Sequence, residues 1–216
     1  MNKKLIAAGI FLLLFLLLII ALKTLDVSVI GPEETSVGLS QINGALHNAT
    51  GISMLWYKIT NYLGYFSILA AICFACSGLL QLVRRKSLGK VDRELLVLGG
   101  LYVLLAVVYV LFEFLVINYR PVIIPGDAHM EASFPSSHTM LAFTILGSTI
   151  MVLDRYISSR SLRTLLQAVC GVLLLIAVFG RLLSGVHWFT DIIGGILISA
   201  CLLFLFAGIL DKVAEN

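Results

Sequence analysis

The stretch LIAAGIFLLLFLLLIIAL, Leu5–Leu22, runs eighteen apolar residues without a break behind Lys3 and Lys4. A helix crossing a ~30 Å hydrocarbon core needs roughly 20 such residues at about 1.5 Å each. The basic-then-apolar order imitates a secretion signal. No small-x-small cleavage site follows it, so it reads as an uncleaved membrane helix. Five more apolar spans follow, near 61–83, 95–117, 139–157, 164–183 and 190–210. Hydrophobic residues make up 60% of the 216 and charged ones 12%, against about 25% charged in a soluble domain. The fold class predicted is all-α: a polytopic six-transmembrane-helix bundle, one integral-membrane domain over residues 1–216.

Basic residues set the orientation. With the N-terminus in the cytoplasm, the inner segments hold Lys3, Lys4, Arg84, Arg85, Lys86, Lys90, Arg93, Arg155, Arg160, Arg163 and Lys212, eleven of the fifteen. Lys23, Lys58, Arg120 and Arg181 stay on the outer side. Both termini are then cytoplasmic. The net charge of +3 is a product of this topology and does not indicate nucleic-acid binding. Cys73, Cys76, Cys170 and Cys201 all fall inside spans, where they read as buried small apolar residues, not as a metal or redox site.

The first outer connection, about 23–58, begins a helix-like start at Pro32, Glu33 and Glu34. Leu39, Ile42 and Leu46 follow at helical spacing, so a short amphipathic helix at the interface is expected from there. Trp56, Tyr57, Tyr62 and Tyr65 read as an aromatic belt. His47 reads as a solvated or interfacial histidine. Asn48-Ala49-Thr50 matches a glycosylation acceptor, a match common by chance. The chain shows no internal repeat.

Polar residues gather instead at one membrane face. EFLVINYRPVIIPGDAHMEASFPSSH lies between the third and fourth spans, and GRLLSGVHWFTDIIGG between the fifth and sixth. Ionisable groups at helix ends in a membrane are costly and point to function. His187 and Asp191, four apart, share a helical face. An aspartate holding one imidazole nitrogen leaves the other free to attack. Arg181 lies six residues before His187, across a turn that Gly185 permits. Pro121, after Arg120, is expected to end the third span. Ser136, Ser137 and His138 stand where the fourth span starts, and a helix N-terminus offers free N–H groups to an anion. For either serine taken alone, an N-cap role is the simpler reading. Together, two guanidiniums, an anion-ready helix start and two histidines supply what phosphoryl transfer through a phosphohistidine requires, without a metal or a P-loop.

The pattern Arg120-Pro121, Pro135-Ser136-Ser137-His138 and Arg181-x5-His187-x3-Asp191 resembles the type 2 phosphatidic acid phosphatase family. The six-span layout resembles its membrane branch, which includes bacterial phosphatidylglycerophosphate and undecaprenyl pyrophosphate phosphatases. The resemblance implies roles. His187 is the nucleophile, Asp191 orients it, and His138 is the acid and then the base. Arg120, Arg181 and Ser136, with N–H groups near Ser137, hold the phosphate. It implies a lipid phosphate substrate, no cofactor, and a multi-pass cell-membrane enzyme with its site on the extracytoplasmic side.

Three positions depart from the family pattern. Gly180 stands where serine is usual and Ser137 where glycine is usual. Glu113 stands in place of a lysine seven residues before Arg120. At that spacing on one helix the two are about 10 Å apart, and Glu113 is expected to act as a modulator through an ion pair with Arg120 or Arg181. Asp127, His129 and Glu131 lie in the loop before Pro135, where His129 reads as a solvated residue. Three alternatives are carried forward: a lipid phosphotransferase, a catalytically impaired phospholipid-binding or transport protein, and a metallohydrolase built on His129, His138 and His187. The sequence does not choose the lipid or the oligomeric state.

Overall fold

The computed structural model describes residues 2–124 and 129–215. Among them are seven α-helices: α1 Lys3–Thr24, α2 Ser40–Thr50, α3 Met54–Arg85, α4 Arg93–Phe114, α5 Ser137–Tyr156, α6 Arg160–Ser184 and α7 Phe189–Glu215. All but α2 are long and apolar enough to cross a membrane, and they coincide with the six predicted spans. β1 (Ser28–Val29) and β2 (Ser36–Val37) form a two-residue antiparallel ribbon in the first connection.

Helix α5 sits at the centre against α3, α4, α6 and α7, while α1 packs along α7. Helices α5 and α7 are the most buried spans and α3 the least. Lipid is as apolar as leucine, so association between these helices depends on close packing and buried polar contacts. Gly147 against Leu203 and Gly208 against Leu5 give that closeness. Tyr102 on α4 meets Ser148 on α5, hydroxyl to hydroxyl at 3.2 Å.

Two helix boundaries differ from the sequence reading. The amphipathic helix starts at Ser40, not at Pro32, because its start is capped from a distance. The Asp26 carboxylate accepts from the Ser40 hydroxyl at 2.9 Å and from the Gln41 N–H at 2.8 Å. Pro32–Glu34 is a single 3-10 turn. Helix α4 stops at Phe114, well before Pro121. The chain beyond it enters a short antiparallel ladder. The Arg120 N–H donates to the Glu131 carbonyl, the Ser133 N–H donates to the Asn118 carbonyl, and Tyr119 bridges Ala132. Glu113 and Arg120 are therefore not on one helix face.

The cysteines also divide. Cys201 is buried, whereas Cys73 and Cys76 are exposed on the outer face of α3, so the reading of all four as buried does not hold.

Candidate active site

The start of α5, the end of α6 and the start of α7 meet at the end of the bundle that carries the ladder of residues 118–120 with 131–133 and the first connection. Phe134 anchors the entrance to α5. It is fully buried, 5.6 Å from the Phe15 ring and 6.0 Å from that of Phe112. Ser136 occupies the N-cap position without a side-chain cap bond. Its N–H donates to the Asp191 carbonyl at 2.9 Å, which ties α5 to α7. The Ser136 hydroxyl accepts from Thr139 at 3.1 Å, leaving its own proton to donate.

Helix α6 ends on Gly185, in the left-handed region at φ +66, where a Cβ would overlap the Gly51 carbonyl. That turn delivers His187, buried and just ahead of α7. His187 Nδ1 donates to the Ser133 carbonyl at 3.1 Å and lies 3.7 Å from Asp191 Oδ2. The ladder carbonyl thus holds the imidazole more closely than the expected aspartate does. Its Nε2 is buried and has no partner among the described residues. Asp191 works on the backbone instead. Its Oδ2 accepts from the Trp188 N–H at 2.9 Å, the reach-back half of a capping box. Asn118 Nδ2 approaches its Oδ1 at 3.5 Å.

Trp188 has no hydroxyl with which to complete that cap. Asn43 of α2 supplies the acceptor. Its Oδ1 takes the Thr190 N–H at 3.1 Å, and its Nδ2 donates to Thr190 Oγ1 at 3.0 Å and to the Gly38 carbonyl at 2.9 Å. Asn43→Ala strands these buried groups and is expected to cost about 1–3 kcal/mol. Asn43→Asp keeps the acceptor but sets a carboxylate oxygen against the Gly38 carbonyl, and is expected to cost at least as much. Thermal unfolding in detergent checks both.

The two arginines come from different elements, Arg181 from α6 and Arg120 from the ladder. Arg181 is wholly buried. Its Nη1 donates to Thr60 Oγ1 and Asn61 Oδ1 of α3, each at 3.0 Å, and its Nη2 meets His138 Nδ1 at 2.9 Å. The guanidinium carbon stands 5.1 Å from the centre of the Tyr57 ring, so this residue of the expected belt serves the site. Arg120 Nη2 pairs with Glu131 Oε2 at 2.7 Å. Arg120 Nε and Nη1 and Arg181 Nε are buried with no partner among the described residues.

Glu113 forms no ion pair among the described residues, and the expected partnership with Arg120 is made by Glu131 instead. Glu113 borders a small cleft with Tyr109, Ser133, Pro135 and Ser137. The glycine at position 180 also has a local cause. A Cβ there would lie 2.8 Å from Thr60 Cγ2 and 2.9 Å from Trp56 Cε3, so α3 leaves no room for serine. His129 is exposed, Asp127 lies outside the described residues, and no described group of three His, Cys, Asp or Glu has the geometry to hold a metal. His47 is half-buried, its ring 5.4 Å from that of Trp188.

Burial, then Arg181, Arg120 and His138, hold the His187 pKa well below the ordinary 6.5, against a pull upward from the Ser133 carbonyl. The imidazole is therefore neutral and nucleophilic at pH 7. The unfolded chain takes up this proton below about pH 6.5 and the folded chain does not, so acid favours unfolding. The contribution of His187 to stability is complete above that pH and declines as pH falls beneath it. Wild-type protein is expected to melt at a lower temperature at about pH 5 than at pH 7, with a smaller drop in His187→Asn. Thermal unfolding at the two pH values measures it.

The six membrane-length helices thus carry a histidine–arginine cluster at one end of the bundle. Residues 94–214 match the model of the PAP2 superfamily, and the chain belongs to that superfamily. A solved relative in fold is the transmembrane PAP2 type phosphatidylglycerolphosphate phosphatase from Bacillus subtilis, with 21% identity, a TM-score of 0.62, and coverage of 96% of this chain and 97% of that one. No curated protein matches the chain.

Proposed function

We propose that the protein hydrolyses the terminal phosphate of a membrane lipid through a phosphohistidine on His187. The observation that carries this reading is the set of buried nitrogens at the site with no partner among the described residues: His187 Nε2, Arg181 Nε, and Arg120 Nε and Nη1. Three belong to cations and one is a nucleophile, the complement of a phosphoryl group.

His187 Nε2 attacks phosphorus and the P–O bond to the lipid breaks, with the leaving oxygen taking a proton from His138. Water then attacks phosphorus, His138 takes the water proton, and the P–N bond breaks. Arg181 donating to His138 Nδ1 opposes protonation of that ring. A phosphate oxygen that draws Arg181 away frees Nδ1 for a proton, which couples substrate arrival to the acid. The Ser133 carbonyl and the nearby Asp191 carboxylate favour the positive charge that His187 acquires on attack. Arg120, Arg181, the Ser136 hydroxyl and the N–H groups at Ser137 and His138 hold the equatorial oxygens.

Lipid reaches the site sideways. A cavity of about 590 Å³, lined almost entirely by apolar residues of α3, α4 and α5, has Ser137 and His138 on its wall. The distribution of basic residues supports cytoplasmic termini and a site on the extracytoplasmic side. Phosphatidate, phosphatidylglycerophosphate and undecaprenyl pyrophosphate all carry the required terminal phosphate.

A phosphate-release panel over these three lipids in EDTA tests the reading. Release from at least one is expected. Release only after a divalent metal is restored supports a metallohydrolase, and failure with every lipid supports a binding protein. Because Glu113 does not engage Arg120, Glu113→Gln is expected to keep kcat near wild type in the same assay.

A further inference from the structure

Tyr57, Thr60, Asn61 and Gly64 stand at helical spacing on one face of α3, and each lies against Arg181 or His138. The first three hold Arg181, one by its ring and two as acceptors of Nη1. Arg181 in turn donates from Nη2 to His138 Nδ1 at 2.9 Å. A guanidinium only donates, so Nδ1 accepts and the neutral ring carries its proton on Nε2. Gly64 is buried against the edge that bears this proton. A Cβ built at Gly64 would meet only that edge, Cδ2 at 3.1 Å and Nε2 at 3.7 Å. Nδ1 and Cδ2 are opposite flanks of an imidazole. In the resting state α3 therefore braces His138 on both, on one through Arg181 and on the other by direct contact. When a phosphate oxygen draws Arg181 away, the contact at Gly64 is the brace that remains. None of these four α3 residues falls within residues 94–214, which carry the family match.

We infer that Gly64 is a positioning residue for the acid: its bare backbone lets α3 set the Nε2–H edge of His138 at the leaving oxygen. This rests on the phosphatase reading of the site. The proton on Nε2 passes to that oxygen as the P–O bond breaks and the bond from His187 to phosphorus forms. A methyl at Gly64 pushes on the Nε2 edge, and the ring yields only against the hydrogen bond on its other flank. The defect this produces is selective. An alkoxide leaving a lipid phosphate needs the proton, whereas p-nitrophenolate leaves as the anion. The ratio kcat/KM covers only the steps up to the phosphohistidine, so the later use of His138 as a base does not enter it.

The experiment measures kcat/KM in detergent for wild type, Gly64→Ala, His138→Ala and the double variant. The substrates are p-nitrophenyl phosphate and phosphatidate, or phosphatidylglycerophosphate where wild type prefers it. Gly64→Ala is expected to lower kcat/KM for the lipid about tenfold, part of the roughly 10²–10⁴-fold that a placed acid contributes, and to leave p-nitrophenyl phosphate within about twofold. That second arm also shows the variant to be folded. In the His138→Ala background the same substitution is expected to have no further effect on the lipid, because it acts through the ring. Equal losses on the two substrates, a loss that persists without His138, or an unchanged rate on the lipid overturns the inference and leaves the phosphatase reading standing. Where wild type does not cleave p-nitrophenyl phosphate, the comparison in the His138→Ala background decides alone. Release from neither lipid by wild type overturns the inference, and release from no lipid phosphate at all overturns the phosphatase reading with it.

Discussion

His187→Gln is expected to lower phosphate release by roughly 10⁴–10⁶-fold, the range for removing a covalent nucleophile. The side chain is buried and its Nε2 has no partner among the described residues. Nothing structural therefore depends on that nitrogen, while the proposed chemistry depends on it entirely. Its Nδ1 donates to the Ser133 carbonyl, a bond kept in His187→Asn, whose amide nitrogen takes the Nδ1 position and which serves as the control for folding. His187→Asn is accordingly expected to melt close to wild type at pH 7 and to show the same loss, so a folding defect does not explain it. Phosphate release under single-turnover conditions, with a melting curve on the same preparation, makes the measurement.

Arg181→Lys is expected to lower kcat by about 10²–10³-fold, the loss seen when one preorganised donor to developing charge is removed. The guanidinium reaches Thr60, Asn61 and His138 at once, and its Nε has no partner among the described residues. An ammonium is a point charge and cannot span those positions while also presenting a fork to phosphate. In the proposed mechanism the residue serves both helix packing and phosphate binding. The partition is read from kcat against the unfolding temperature: a large fall in kcat with a small shift in melting places Arg181 in the chemistry.

Much of this was legible in the sequence because it is written in side chains with strong physical preferences. Unbroken apolar runs allow little but membrane spans. The histidines and arginines stood out because charge is expensive at a membrane helix end. The missing parts are supplied from elsewhere in the chain or by the backbone. The bond that holds His187 comes from the Ser133 carbonyl, which every residue possesses and no motif marks. The cap of α7 comes from Asn43, 147 residues from Thr190. The start of α2 is set by Asp26, fourteen residues before Ser40. Helix α4 ends early because residues 118–120 find ladder partners at 131–133, a long-range pairing that local periodicity does not reveal. Thr60 and Asn61, adjacent polar residues on the apolar α3, are a signal that the sequence does carry, and they orient Arg181.

The fold and its family rest on the six spans and on the match across residues 94–214. The chemistry rests on one nitrogen. Its most direct test is rapid quenching during turnover of a lipid labelled in its terminal phosphate, followed by mapping of label on the protein. Acid-labile, base-stable label on the peptide containing His187, absent from His187→Gln, is the predicted result. Turnover by wild type with no labelled histidine at any quench time, or full turnover by His187→Gln, would contradict it.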